Sequence, residues 1–177
     1  MVLASCGTYY DPADSYVRGV RFYDRGDYVT ARQIWQPLAE AGDCDAQFRM
    51  GTLYFQGQAA ISDIAAARKN FLEAANQGQP RAQIVLGDLY ASVPGDKGSS
   101  FSGFWCDGPD CPKDLAEAYK WYLLAEKFSG YAADKKLVHS ALGSVRGRMS
   151  PAQRQEGEQR ASAWRPAPQM CKTRVLL

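Results

Sequence analysis

The residues with the widest chemical reach in this chain are its five cysteines, Cys6, Cys44, Cys106, Cys111 and Cys171. A thiol can be acylated, paired with a second thiol, or used to bind a soft metal. Cys106 and Cys111 enclose Asp-Gly-Pro-Asp, a turn-forming stretch that can bring two Cβ atoms within disulfide reach. Cys44 and Cys171, remote in sequence, are left as a second pair. The alternative is four reduced thiols. Zinc is disfavoured, because the spacing is not that of a knuckle and His139 is the sole histidine. A single histidine on a helix reads as a surface or packing residue. No serine sits in a nucleophile elbow, and Gly-Ser-Ser from Gly98 lacks that pattern. No phosphate loop and no metal-binding histidine pair is present. The sequence therefore calls for no catalytic residue, no metal and no cofactor.

Cys6 has its own context. Leu3-Ala4-Ser5-Cys6 is similar to a bacterial lipobox, and Gly7 and Thr8 suit the tether that follows a lipidated cysteine. The charged start and apolar stretch of a working signal are missing, so the motif carries meaning if the true start codon lies upstream. A lipid on Cys6 leaves an even number of cysteines, which agrees with an oxidising periplasm. The competing expectation is a cytoplasmic chain with reduced thiols.

A net charge of +2 with scattered basic residues leaves no electrostatic footprint for nucleic acid. The stretch 91–112, ASVPGDKGSSFSGFWCDGPDCP, reads as a loop. Phe101, Phe104 and Trp105 give it an apolar tip. Those aromatics are either binding anchors or a plug that folds back on the end of the core.

The elements that position these groups follow from an internal repeat. AGDCDAQFRMGTLYFQGQ, from Ala41, and QGQPRAQIVLGDLYASVP, from Gln77, align at an offset of 36. The offset takes Gly42 to Gly78, Gln47 to Gln83, Gly51 to Gly87, Tyr54 to Tyr90 and Trp35 to Phe71. A further copy stands at an offset of 51, taking Ala67 to Ala118 and Phe71 to Tyr122. The loop before Lys113 holds the extra length. Ala46, Met50, Leu53 and Tyr54 fall on one helical face, as do Ala67, Phe71, Ala74 and Ala75. Gly51 in mid-helix predicts a close helix crossing, since glycine there costs about 1 kcal/mol against alanine. Asp63 and Asp114 are expected N-caps, and Gly42 and Gly78 helix ends. Eight helices are predicted near 12–24, 27–41, 45–57, 63–77, 80–91, 113–128, 131–146 and 150–164. Pro37 lies inside the second, and Ser150-Pro151 caps and opens the last.

These residues resemble the Sel-one-like repeats, relatives of the tetratricopeptide repeats. AQFRMGTLYFQG with AARKNFLEAANQG matches one unit, and AQIVLGDLY with KDLAEAYKWYLLAEK a second. ARQIWQPLAEAGD resembles the opening of many bacterial members and SPAQRQEGEQRASAW their closing helix. Val138 stands where the helix at 131–146 should carry the glycine, which marks an atypical terminal repeat. The resemblance implies an all-α, right-handed α-solenoid of about four stacked antiparallel helix pairs. It also implies a non-catalytic adaptor or scaffold that binds a protein or peptide.

The expected layout is a tether at 1–14, a solenoid at 15–165 with the insertion at 91–112, and a tail at 166–177. Arg49, Thr52, Gln56, Gln83 and Asp88 lie off the apolar stripe and are candidates to line a concave binding face, beside Phe101, Phe104 and Trp105. The tail is disordered, tethered through Cys171, or docked on the solenoid. The rival readings are a cytoplasmic scaffold and a protein acting on cell-wall material or binding β-lactams. Cysteine-rich relatives suggest the latter, but this chain lacks their regular disulfide in each repeat.

Overall fold

The computed structural model describes residues 12–58, 62–92, 113–167 and 171. Cys6, Phe101, Phe104, Trp105, Cys106 and Cys111 lie outside the described residues. Eight helices run α1 Pro12–Asp24, α2 Tyr28–Glu40, α3 Cys44–Gln56, α4 Ile64–Asn76, α5 Pro80–Ala91, α6 Leu115–Phe128, α7 Ala132–Arg148 and α8 Pro151–Ala163. Each begins and ends within two residues of the sequence expectation. No strand occurs among the described residues.

Caps fix where the helices start, and they repeat with the sequence. The side chains of Asp27, Asp63 and Asp114 accept from Thr30, Ala66 and Glu117 N–H at 2.9–3.0 Å. They open the second helix of successive pairs at the same offsets of 36 and 51. Asp43 and its counterpart Gln79 open α3 and α5 by accepting from Ala46 and Ala82. Each cap satisfies a helical N–H with no partner inside its helix, and its loss costs about 1 kcal/mol. Ser150 and Gln153 form a reciprocal capping box, with Pro151 at the first helical position. Gly42 and Gly78 turn the chain out of α2 and α4 at φ of 90° and 86°, a region closed to most L-residues. The second helix runs on through Pro37 to Glu40.

One small-to-large contact sets the spacing within each pair. A Cβ on Gly19 would lie 2.7 Å from Trp35 Cε2, and one on Gly51 2.7 Å from the Phe71 ring. A Cβ on Gly87 would lie 2.6 Å from Tyr122. The first helix of every regular pair thus offers bare backbone as the seat for an aromatic on the second. All three aromatics are fully buried, so the area they remove from water outweighs the propensity cost of the glycine.

Helices α1·α2, α3·α4 and α5·α6 form the regular pairs, and α2·α3 and α4·α5 stack them into a solenoid. Nearly all of α5 is buried at the centre. The terminal part differs, because α7 and α8 both pack on α6. Val138 in α7 is fully buried in place of the repeat's glycine. Helix α8 buries only Gly157, set against Ala116 O and the Tyr119 ring. Most of its other residues are exposed, so it closes the stack with a largely polar surface, as the last element of a solenoid must.

Candidate functional site

The polar residues expected on a binding face divide into two groups. Gln83 and Asp88 are fully buried and Thr52 nearly so, so none of the three lines an open groove. Thr52 Oγ1 donates to Phe48 O at 3.0 Å within its own helix. Gln83 Nε2 donates to Ala75 O at 3.1 Å, as its counterpart Gln47 Nε2 does to Ala39 O at 3.3 Å. Each glutamine therefore ties the start of one pair to the end of the pair before it. In the first copy Gln47 Oε1 also accepts from Gln77 Nε2 at 2.8 Å. In the second copy Gln83 Oε1 is buried without a partner, because the residue equivalent to Gln77 is Phe128. Asp88 replaces Thr52 of the preceding unit, and Tyr122 replaces Phe71. The Tyr122 hydroxyl donates to Asp88 Oδ1 at 2.5 Å. Burial, reinforced by the Asp88 carboxylate, pushes the Tyr122 phenol far above its ordinary value.

Arg49 and Gln56 remain at the surface. The Arg49 guanidinium carbon lies 5.5 Å from the Tyr23 ring centre and 5.6 Å from that of Trp35. Its Nε donates to Tyr16 Oη at 3.3 Å. Burial raises the Tyr16 phenol, with Arg49 pulling the other way. Gln56 Oε1 accepts from Tyr23 Oη at 3.3 Å. Arg49, Gln56 and the Tyr23 ring form the accessible part of this cluster where α1, α2 and α3 meet, over the buried rings of Tyr16 and Trp35.

A cleft of about 410 Å³ lies where the insertion leaves and rejoins the solenoid. Its lining includes Tyr90, Lys113, Asp114, Arg148 and Gln153. Arg148 donates to Ala91 O at 2.7 Å. Arg160 holds Asp114 at 2.7 Å. Burial alone would raise the Asp114 carboxyl, but Arg160 and the cap N–H groups outweigh it and hold it below its ordinary 3.8. Among the described lining residues the carboxylate is Asp114, and it is committed to clamping α8. His139 pairs with Glu126 at 2.8 Å on the exposed surface, consistent with a packing or surface role.

The C-terminal segment crosses back over the solenoid, a feature the sequence left open. Trp164 leaves α8 and meets Phe128 edge to face, with ring centres 5.5 Å apart. Ala167 N–H donates to Asn76 O at 2.8 Å and Cys171 N–H to Gln77 O at 2.9 Å. Cys171 is joined to Cys44, with the Cα atoms 5.7 Å apart. Asp45 stands beside this pair.

Stacked helix pairs, each with a glycine-seated aromatic, define an α-solenoid. The Sel1 repeat pattern matches residues 44–79 and 103–127, so those stretches are Sel1-like repeats. It is 32% identical over 79 residues to the ERAD-associated E3 ubiquitin-protein ligase component HRD3A of Arabidopsis thaliana. That match takes in 44% of this chain and 12% of the relative. Among solved structures, the fold is similar to c5321, a protective antigen of uropathogenic Escherichia coli that displays an SLR fold. The TM-score is 0.69 at 20% identity, over 87% of this chain and 30% of the antigen. A Sel1 repeat protein from Oxalobacter formigenes aligns at a TM-score of 0.45 and 22% identity, over 90% of this chain and 75% of that one. The chain thus spans about an eighth of the plant relative and under a third of the antigen.

Proposed function

We propose that this chain is a non-catalytic adaptor that holds a protein partner, and that it works at the bacterial envelope, anchored through a lipid on Cys6. The observation that carries the adaptor reading is how the polar side chains are used. The buried ones, Gln47, Gln83 and Asp88, fasten helices to one another. At the surface, Arg49 over the half-exposed Tyr23 ring offers one cationic and one aromatic group of the kind that anchor other proteins. Sel1 repeats are interaction scaffolds, and HRD3A is named as a component of a larger assembly. The envelope reading is supported by Leu3-Ala4-Ser5-Cys6 and by the even number of cysteines left after Cys6.

Two experiments test the two parts. In-cell crosslinking followed by affinity isolation and peptide mapping tests the adaptor, and Arg49→Ala should reduce partner recovery at least tenfold. Equal recovery would remove the Arg49 patch from the reading. Mass spectrometry of the unreduced native product tests the anchor. A mature chain starting at Cys6 with a diacylglycerol mass supports it, and a chain retaining Met1 with free thiols overturns it in favour of a cytoplasmic scaffold.

A further inference from the structure

We infer that the cleft between the end of α5, the start of α6 and the α7–α8 turn is a binding site for a carboxylate, held by Lys113, Arg148 and Gln153. The inference goes beyond the adaptor reading, because it names a ligand chemistry that a protein side chain or a small acid can supply.

The two regular units differ at this place in an informative way. In both, one backbone bond closes the neck between the helices of the pair. Asp63 N–H donates to Tyr54 O at 3.0 Å, and Asp114 N–H to Tyr90 O at 3.2 Å. In the earlier unit the next carbonyl, Phe55 O, accepts from Ser62 Oγ at 3.1 Å. The equivalent carbonyl at the offset of 36 is Ala91 O. Its donor is Arg148, reaching from the last turn of α7 at 2.7 Å. Lys113 stands where Ser62 stood, at the offset of 51. The carbonyl no longer needs a donor from that position, and Lys113 has no hydrogen bond or ion pair among the described residues. A satisfied local contact has thus been exchanged for two cations lining one cleft.

The hydrogen-bonding groups of the walls say what fits between them. The acceptors are taken. Asp114 Oδ1 accepts from Glu117 N–H and Oδ2 from Arg160, while Gln153 Oε1 accepts from Ser150 N–H at 2.9 Å. The donors are spare. The Lys113 ammonium, the Gln153 amide N–H groups and the Tyr90 hydroxyl have no partner among the described residues, and Arg148 spends one of its five N–H groups on Ala91 O. Burial, with Glu117 nearby, raises the Tyr90 phenol above its ordinary 10.0, so it stays protonated and able to donate. A cleft of spare donors and engaged acceptors selects a ligand that only accepts, which an ionised carboxylate does. The Asp114 carboxylate in the wall repels a phosphate dianion more than a monoanion. A cleft of about 410 Å³ also has room for the carbon chain behind the carboxylate, against Leu115.

The test is an NMR titration of isotope-labelled full-length protein at constant ionic strength, reading the Arg148 Nε–H and Gln153 side-chain amide signals. The probes are N-acetyl-glutamate methylamide, its neutral glutamine analogue, sodium acetate and inorganic phosphate. The glutamate probe should move both signals saturably, and the glutamine analogue should not. Lys113→Gln should weaken the glutamate probe by about fivefold or more, the worth of one exposed charge contact. It should leave the melting temperature unchanged, and Lys113→Arg should restore binding. Equal shifts with the glutamine analogue, shifts that do not saturate, or unchanged affinity in Lys113→Gln overturns the inference. Phosphate binding more tightly than either carboxylate also overturns it and makes the cleft a phosphate site. Two supporting outcomes separate the sources. A glutamate probe that binds more tightly than acetate places the carboxylate on a protein side chain, and acetate binding at least as tightly places it on a small free acid. If crosslinking finds no partner while the titration saturates, the adaptor reading falls and the carboxylate site stands.

Discussion

Tyr122 donates its hydroxyl to the carboxylate of Asp88 at 2.5 Å, with both residues shut away from water. The previous unit fills the same two places with Thr52 and Phe71, which need no bond to each other. The pair has therefore changed together between copies, because a buried carboxylate must be given donors. Tyr122→Phe removes a buried donor and should cost about 1–3 kcal/mol. Asp88→Thr with Tyr122→Phe, which restores the pairing of the earlier unit, should recover at least half of that. Denaturant unfolding of the single and double variants checks this, and additive losses would contradict it.

The same pair carries a dependence on alkaline pH. The folded Tyr122 phenol is held far above its ordinary 10.0, first by burial and then by Asp88. A group raised in the folded state stabilises fully below its unfolded value, and that contribution is lost as pH rises beyond it. Stability should therefore fall above about pH 10, and Tyr122→Phe should make that fall shallower. Urea unfolding at a series of alkaline pH values reads both slopes.

Two kinds of helical glycine should respond in opposite directions to alanine. A Cβ at Gly87 would meet the Tyr122 ring at 2.6 Å, and Gly87→Ala should destabilise by about 1–3 kcal/mol through overpacking. Gly143, on the outer side of α7, has nothing within 4 Å of such a Cβ. Gly143→Ala should stabilise by about 1 kcal/mol through helix propensity alone. Thermal melts of the two variants should move apart. A gain at both positions would mean that the seat under Tyr122 is loose.

Helix α8 buries little and is held by charge. Arg160 reaches Asp114 at 2.7 Å, Glu117 at 3.1 Å and Glu156 at 2.6 Å. Arg160→Ala should cost on the order of 1 kcal/mol, because half-exposed ion pairs are worth little. It should also raise hydrogen exchange across 151–163 more than across α5. The Asp114 carboxyl is depressed in the folded state. Its contribution is present above the unfolded value, near 3.8, and is lost as pH falls through the lower folded value. The wild type should therefore loosen at α8 below about pH 4 and resemble the variant there.

The fold was legible because the repeat writes its geometry into residue size. Gly51 recurs as Gly87 at the offset of 36 and signalled a close helix crossing, and the caps Asp63 and Asp114 stand at the offset of 51. The binding face was harder to read. Thr52, Gln83 and Asp88 are polar, and polarity off an apolar stripe suggested solvent. In these close-packed repeats the glutamines instead span to a helix-end carbonyl eight residues back. That signal was present in the alignment, since Gln47 follows Ala39 as Gln83 follows Ala75. The path of the tail was not legible, because Trp164, Ala167 and Cys171 match no repeat and two of their contacts are made by backbone N–H groups.

The central claim is that the solenoid works by holding a protein partner. The most direct measurement is in-cell crosslinking of the chain in its own cells, with isolation under native conditions and mapping of the linked peptides. The account predicts a recurrent protein partner, present in proportion to the chain, with links concentrated on α1–α3. Recovery of the chain alone under conditions that preserve other protein complexes would contradict it.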